Sequence, residues 1–299
     1  MDLVEFFHVK RKRINNFMSE FLETLPFQDS DLLHAMKYGV LLGGKRIRPI
    51  LMYIMGSMFQ VNFHVIDILA SSIEFMHAYS LIHDDLPSLD NDKLRRGQDS
   101  CYIKFGESTA ILAGNALQCL SFNVLSNWNE NKISNAKKIK IILELSNASG
   151  LLGMCIGQFF DLASKKKRIE LNQLEEIYWY KTGSLISTAI RLVLISRNIR
   201  EKKIVLALEQ YSRNVSLAFQ IQDDILDFIN DSHDPTILTN SNKNFKGNTF
   251  PLIIGLQESK KKLEQLYKKS LECLEILSNK LVDVALLQKL AYYIITRDT

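Results

Sequence analysis

Ile66-Asp-Ile-Leu-Ala-Ser-Ser-Ile-Glu-Phe-Met-His-Ala-Tyr-Ser-Leu-Ile-His-Asp-Asp-Leu-Pro-Ser-Leu-Asp90 is the stretch that decides the fold. Ile66, Leu69, Ile73, Met76 and Ser80 recur at three- and four-residue spacing, the period of one helix face. That stripe runs into Asp84, Asp85 and Asp90, with Pro87 among them. Bare carboxylates are costly in such surroundings: two about 4 Å apart repel by ~4 kcal/mol at an effective dielectric of about 20. A second cluster, Asp223-Asp224-Ile225-Leu226-Asp227, follows another apolar helical stretch. Hard divalent cations with oxygen ligands relieve this repulsion, and Mg²⁺ commonly travels with phosphate.

Outward from these clusters, the pattern stays helical. The chain has 299 residues and five prolines, none between Pro87 and Pro235. Proline breaks helix interiors, so a long proline-free stretch favours an all-α body. Leu174, Ile177, Tyr178 and Lys181 suggest a further helix, and no period-two strand pattern stands out. No Pro/Gly/Ser-rich linker divides the chain, which predicts one domain over residues 1–299. A formal charge of +4 is too small to argue for nucleic acid, and the basic runs Lys165–Arg168 and Lys260–Lys262 read as solvated helix ends or faces. Cys101, Cys119, Cys155 and Cys273 fit no zinc spacing and read as reduced thiols of a cytoplasmic protein. No run reaches the roughly 18 uninterrupted apolar residues of a membrane span, and the N-terminus carries no signal-peptide pattern.

Spacing assigns geometry to the acidic clusters. Asp223 and Asp227 lie four apart on one helix face, with Gln220 one turn earlier. Asp84 and Asp90 are six apart, which a regular helix does not align. Ending the helix near Asp85, with a turn at Pro87, would bring Asp90 back. Cations accompany both clusters. Gly43-Gly44-Lys45-Arg46-Ile47-Arg48-Pro49 combines glycines that permit close approach with Lys45 and Arg48 for an anion. The strand and Gly-Lys-Ser/Thr ending of a P-loop are absent. Arg95-Arg96 follows Asp90, and Lys181-Thr182-Gly183 lies on another helix. His77, two turns before Asp84, is suited either to packing or to bonding a phosphate oxygen. Three basic groups beside two acidic ones suggest two diphosphates, one held through Mg²⁺ and one held directly. Asp231–Asn248 is polar, rich in asparagine and placed as a lid or an ordinary surface loop.

Taken in order, Gly43–Pro49, His77–Asp85, Leu94-Arg95-Arg96-Gly97, Lys181-Thr182-Gly183 and Phe219–Asp224 make the chain resemble the short-chain trans-isoprenyl diphosphate synthases, most closely the bacterial farnesyl group. The resemblance runs from Leu25 through Ile295. It implies an isoprenoid synthase fold, an antiparallel helix bundle around a deep central cavity, assembled as a homodimer. It implies that Asp84, Asp90 and Asp223 ligate Mg²⁺, roughly two to three ions per site, with Asp227 supporting through water. Arg95 and Lys181 would grip the allylic diphosphate, while Lys45, Arg48, His77 and Arg96 hold isopentenyl diphosphate. Thr182, Gln220 and the backbone near Lys181 would stabilise an allylic cation. Tyr79 and Ser80, about one helical turn before Asp84, would floor the tail pocket and stop growth at C15.

The chain departs from that pattern after the second cluster. Thr236-Ile237 stands where a Gly-Lys pair would align, and the second pair reads inverted as Lys246-Gly247. Asn242 and Asn91 replace expected acidic residues, and Lys243 or Lys246 would have to stand in for the missing lysine. Rival readings are a terpene cyclase, which has no use for Lys45, Arg48 and Arg96; a synthase stopping at the geranyl or geranylgeranyl length; and a weakly active or non-catalytic partner subunit.

Overall fold

The computed structural model describes residues 2–128, 133–165, 167–232, 247–278 and 282–298. In chain order the elements are α1 (Leu3–Glu23), α2 (Asp31–Leu41), α3 (Ile47–Met58), α4 (Phe63–Asp84), β1 (Leu94–Arg95), β2 (Gln98–Asp99), α5 (Cys101–Phe105), α6 (Glu107–Ser126) and α7 (Asn135–Ser149). There follow α8 (Met154–Ser164), α9 (Leu171–Tyr178), a π-helical turn (Trp179–Gly183), α10 (Ser184–Arg197), α11 (Lys202–Ser232), α12 (Phe250–Ile254), α13 (Leu256–Ser278) and α14 (Ala285–Thr296). The protein is all-α, as its periodicity predicts. The exception is the β1–β2 hairpin, whose two-residue strands are too short to leave a period-two signal.

Two compact units divide the chain: Met1–Leu145 with Arg191–Asn198, and Ser146–Ile190 with Ile199–Thr299. In the first, α4 is apolar nearly all round and therefore buried on nearly every side. Asn62 caps it, its Oδ1 accepting from the His64 N–H at 2.9 Å. Neighbouring helices approach α4 through glycines. An added Cβ would lie 2.4 Å from Ile82 Cδ1 at Gly39 of α2 and 2.8 Å from Ile66 Cγ1 at Gly56 of α3.

Two carboxylates interrupt this apolar helix, and each is matched. Asp67 accepts from Arg13 at 2.8 and 2.6 Å and from the Tyr53 hydroxyl. Glu74 accepts from buried Arg46 at 2.7 Å. Arg46 also donates to Asn15 and to the Val40 carbonyl, so all its sides are committed within the fold.

In the second unit α11 contributes an apolar seam including Leu208, Tyr211, Val215 and Ala218, and it packs against α13. Tyr211 donates its hydroxyl to the Leu287 carbonyl at 2.7 Å, tying α11 to α14. The second aspartate cluster lies inside α11, so Asp223 and Asp227 do share one helix. Residues 233–246, which hold Thr236-Ile237, Asn242, Lys243 and Lys246, lie outside the described residues. Lys261 and Lys262 meet Glu258 and Glu175 at 2.7 Å each, in keeping with a solvated helix face.

No apolar run is uninterrupted, yet two stretches, Phe63–Asp84 and Asn135–Ser164, are long and apolar enough to cross a membrane by length and composition. The first is the buried core helix α4. The second keeps only 33% of its apolar window buried.

Arg46→Met should cost about 3–5 kcal/mol, because Glu74 would be left charged and unpaired in the core. Urea denaturation of the two proteins measures the difference.

Candidate active site

The end of α4 follows the bent path that Pro87 suggests. Asp85 caps the helix. The Asp90 N–H then returns to the Asp84 carbonyl at 2.9 Å, and the Asn91 N–H returns to the Leu86 carbonyl at 3.1 Å. The turn thus folds Asp90 against Asp84. Asp84 and Asp90 are both partly exposed, whereas Asp85 is buried. Asp85 accepts from Arg95 Nε at 2.9 Å and again from Nη2, and Asp92 meets Arg95 at 3.3 Å. Burial pushes the Asp85 carboxyl up, against the pull of Arg95. Its job is to hold Arg95.

The β1–β2 hairpin aims the next arginine. Arg96 and Gly97 have φ of 55° and 75°, as a tight two-residue hairpin turn requires. Arg96 donates to the Gly43 carbonyl. A Cβ at Gly44, itself at φ 113°, would lie 2.6 Å from Arg96 Nη2. Gly44 therefore makes room for an arginine from a distant segment of the same unit.

Lys45, partly exposed, follows these glycines directly. Arg48, one turn into α3, has a buried Nε with no hydrogen-bond partner among the described residues. Burial pushes its guanidinium down, Glu74 pulls it up and Arg96 opposes it again. Burial likewise pushes Arg96 down, helped by Arg46. His77 is held well below its ordinary range, first by burial and then by Arg48, Arg96, Arg46 and Arg95. The imidazole is thus neutral in a field of guanidiniums. Such a cluster, with a buried donor left over, has the chemistry to receive an anion.

The second unit holds the remaining residues. The Ser184 N–H reaches the Trp179 carbonyl, five residues back, which makes the turn carrying Lys181 and Thr182 π-helical. Gly157 of α8 lets that turn approach: its Cβ would lie 2.2 Å from the Lys181 nitrogen. Lys181 Nζ donates to Asp161 at 2.6 Å. Sequence reasoning missed both Asp161 and Gln158, whose amide N and O are both buried without a hydrogen-bond partner among the described residues. Their signal, a Gln and an Asp three apart on α8, is too short to separate from ordinary helix composition.

On α11 the doublet again divides its labour. Asp224 is buried, accepting from the Tyr178 hydroxyl at 2.7 Å and from the Phe250 N–H at 2.9 Å. Asp227 is exposed and Asp223 partly so, with Gln220 partly exposed one turn earlier. Arg297 folds back from beyond α14, donating to Asp223 at 2.6 Å and to the Phe219 carbonyl at 3.1 Å. Its guanidinium lies 4.2 Å from the Phe219 ring centroid. This C-terminal cation was also missed, since an isolated arginine near a chain end carries no pattern.

Among the described residues no three His, Cys, Asp or Glu side chains converge into a preformed metal cage. The chemistry of the donors still suits Mg²⁺, which keeps several waters and takes one or two carboxylates plus phosphate oxygens. Arg297 also places a cation against Asp223, marking that carboxylate as cation-seeking.

Fold and site together define an all-α protein with partly exposed carboxylates and a cluster of guanidiniums around a neutral imidazole. The Polyprenyl synthetase family profile matches residues 29–284, and the chain belongs to that family. It is 50% identical over 281 residues to a farnesyl diphosphate synthase of Buchnera aphidicola subsp. Acyrthosiphon pisum, covering 93% of this chain and 98% of that protein. Identity to the Escherichia coli farnesyl diphosphate synthase is 41% over 298 residues, covering 100% of both. A geranyltransferase structure from Legionella pneumophila superposes with a TM-score of 0.88 at 33% identity, covering 99% of this chain and 97% of that one.

Burial pushes the Asp224 carboxyl up to about 7, outweighing the Phe250 N–H and the Tyr178 hydroxyl. The folded protein keeps that proton up to about pH 7, while an unfolded aspartate releases it near 3.9. Metal-free protein should therefore lose stability as pH rises from about 4 to about 7. Urea midpoints in EDTA across that range should fall more steeply for wild type than for Asp224→Asn.

Proposed function

We propose that this chain condenses isopentenyl diphosphate head to tail with dimethylallyl and then geranyl diphosphate, giving (2E,6E)-farnesyl diphosphate and diphosphate. The observation that carries the reading is the cationic cluster of Arg48, whose buried Nε has no partner among the described residues, Arg96 and neutral His77. A second diphosphate, held without carboxylates, is what such a cluster serves, and a terpene cyclase has no use for it. The names of the Buchnera and Escherichia coli relatives support the same activity.

In this mechanism Lys45, Arg48, His77 and Arg96 bind isopentenyl diphosphate and orient its double bond. Arg95 and Lys181, held in place by Asp85 and Asp161, grip the allylic diphosphate. Asp84, Asp90 and Asp223 would hold Mg²⁺, with Asp227 acting through water. When bound, Mg²⁺ supplies Lewis-acid neutralisation of the departing diphosphate. The allylic C–O bond breaks with its electron pair leaving on diphosphate. The isopentenyl double bond then forms the new C–C bond at C1, and a proton from its C2 passes to the diphosphate. Thr182 and Gln220 present oxygens to the developing cation, and no side-chain nucleophile is needed.

Tyr79 and Ser80 close the tail pocket, Ser80 with its hydroxyl turned back to the His77 carbonyl at 2.9 Å. We read residues 1–299 as one catalytic domain that works as a cytoplasmic homodimer. Exposed apolar side chains of the first unit, Leu112, Ile139 and Leu143, support self-association. The four free cysteines fit a reducing compartment.

With Mg²⁺, isopentenyl diphosphate and dimethylallyl or geranyl diphosphate, purified protein should form C15 product from either primer. Product sizing that finds no C15 defeats the reading. Asp84→Ala and Asp223→Ala should each lower turnover by about 10³-fold or more while leaving the circular-dichroism spectrum intact. Tyr79→Ala should lengthen the product beyond C15 and Ser80→Phe should shorten it, both read by chromatography of the dephosphorylated alcohols.

A further inference from the structure

Tyr79 does not stand alone on α4. Its ring meets the imidazole of His83, one turn on, edge to face at 5.1 Å between centroids and 82° between planes. His83 in turn is fastened to α6. Its Nε2 lies 3.1 Å from the Ile111 carbonyl, so that nitrogen carries the hydrogen and donates it. The ring occupies the space that a side chain at Gly114, one turn further along α6, would fill. A Cβ there would fall 2.2 Å from His83 Nε2, 2.4 Å from Cδ2 and 3.0 Å from Cε1. Real Cβ atoms essentially never show such contacts, so Gly114 is what leaves room for the His83 ring in its present place.

These contacts make a chain of constraint from α6 to the pocket floor. Tyrosine on a helix swings about χ1 and χ2, and an isolated ring would leave a floor of uncertain height. An edge-to-face neighbour narrows that choice. A hydrogen bond to a neighbouring helix fixes the neighbour in turn. We propose that His83 is a positioning residue for product length, holding the Tyr79 ring across the tail pocket, and that Gly114 is the specificity-determining glycine that seats it. This rests on Tyr79 being the floor. His83 touches neither substrate nor metal in this role; it acts only through Tyr79.

The alternative for a residue next to Asp84 is that it merely shapes the acidic cluster. The two roles separate in the product. A disturbed acidic cluster slows turnover and raises the Mg²⁺ requirement while chain length stays the same. A loosened floor changes chain length. Substitutions should therefore be read by the C20:C15 ratio with geranyl diphosphate as primer, beside the kcat and the Mg²⁺ dependence.

His83→Ala and Gly114→Ala should each raise that ratio about fivefold, within the range an aromatic pair contributes. His83→Phe, which keeps a ring beside Gly114 and Tyr79 but loses the hydrogen bond to Ile111, should recover part of the wild-type ratio. In the double variant Tyr79→Ala/His83→Ala the product should be no longer than in Tyr79→Ala alone, since the two act in series. An unchanged ratio in His83→Ala, additive lengthening in the double variant, or failure of His83→Phe to recover C15 would each overturn the proposal. If wild type does not stop at C15, or Tyr79→Ala does not lengthen, the floor reading itself fails and takes this one with it. Lengthening by Tyr79→Ala alone defeats only the role of His83.

Discussion

Helix α4 can be buried only because its neighbours come unusually close, and the first unit depends on that approach. Glycines at 39, 56 and 114 sit where α2, α3 and α6 meet it, and each would collide with an α4 side chain if it carried a Cβ. Close approach excludes water from a helix that bears two carboxylates, Asp67 and Glu74. Exclusion of water is what makes their pairing with Arg13 and Arg46 obligatory. The approaches at Gly39 and Gly114 fall on Ile82 and His83, so close packing fixes the end of α4 immediately beside Asp84.

A common device appears at both acidic clusters. In each doublet one aspartate faces inward and is consumed by the fold: Asp85 by Arg95, and Asp224 by Tyr178 and the start of α12. The adjacent carboxylates, Asp84 and Asp223, remain partly exposed. Each aspartate doublet thus sets one buried structural anchor beside one partly exposed carboxylate. The anchor pays no catalytic role of its own, yet it determines where its neighbour points. That arrangement explains why the doublets lie in apolar helices at all: the inward member requires a core to be anchored in.

Much of this was legible in the chain. The three- and four-residue apolar spacing gave the helices, and Pro87 gave the turn that returns Asp90 to Asp84. The metal-ligand set came from the resemblance and not from spacing; in the fold Asp84, Asp90, Asp223 and Asp227 are partly or fully exposed, whereas Asp85 and Asp224 are buried. What stayed hidden depends on contacts between distant segments. Lys45 and Arg48 could be named as cations, but the reason for Gly44 is Arg96, about fifty residues on. Arg46 is indistinguishable in sequence from its basic neighbours, yet it is buried against Glu74. Arg297 and Asp161 carry no local pattern, and only tertiary structure brings them to Asp223 and Lys181.

Charge in the described structure is distributed unevenly, and the unevenness has a direction. Arg95, Lys181 and Arg297 each rest on a carboxylate, Asp85, Asp161 and Asp223 respectively. A cation so held is pre-oriented, and a more highly charged ligand can draw on it without a large rearrangement. Around Arg48 the situation differs. Burial and neighbouring guanidiniums both act against its charge, only Glu74 supports it, and its Nε lacks a partner. A cluster in which every cation disfavours the next is stable only if the fold enforces it, and α3, α4 and the β1–β2 hairpin do so. An anion placed there would relieve that repulsion, and a neutral His77 keeps the repulsion from growing. A protonated imidazole would add one more repulsion; a neutral one adds a donor without a charge.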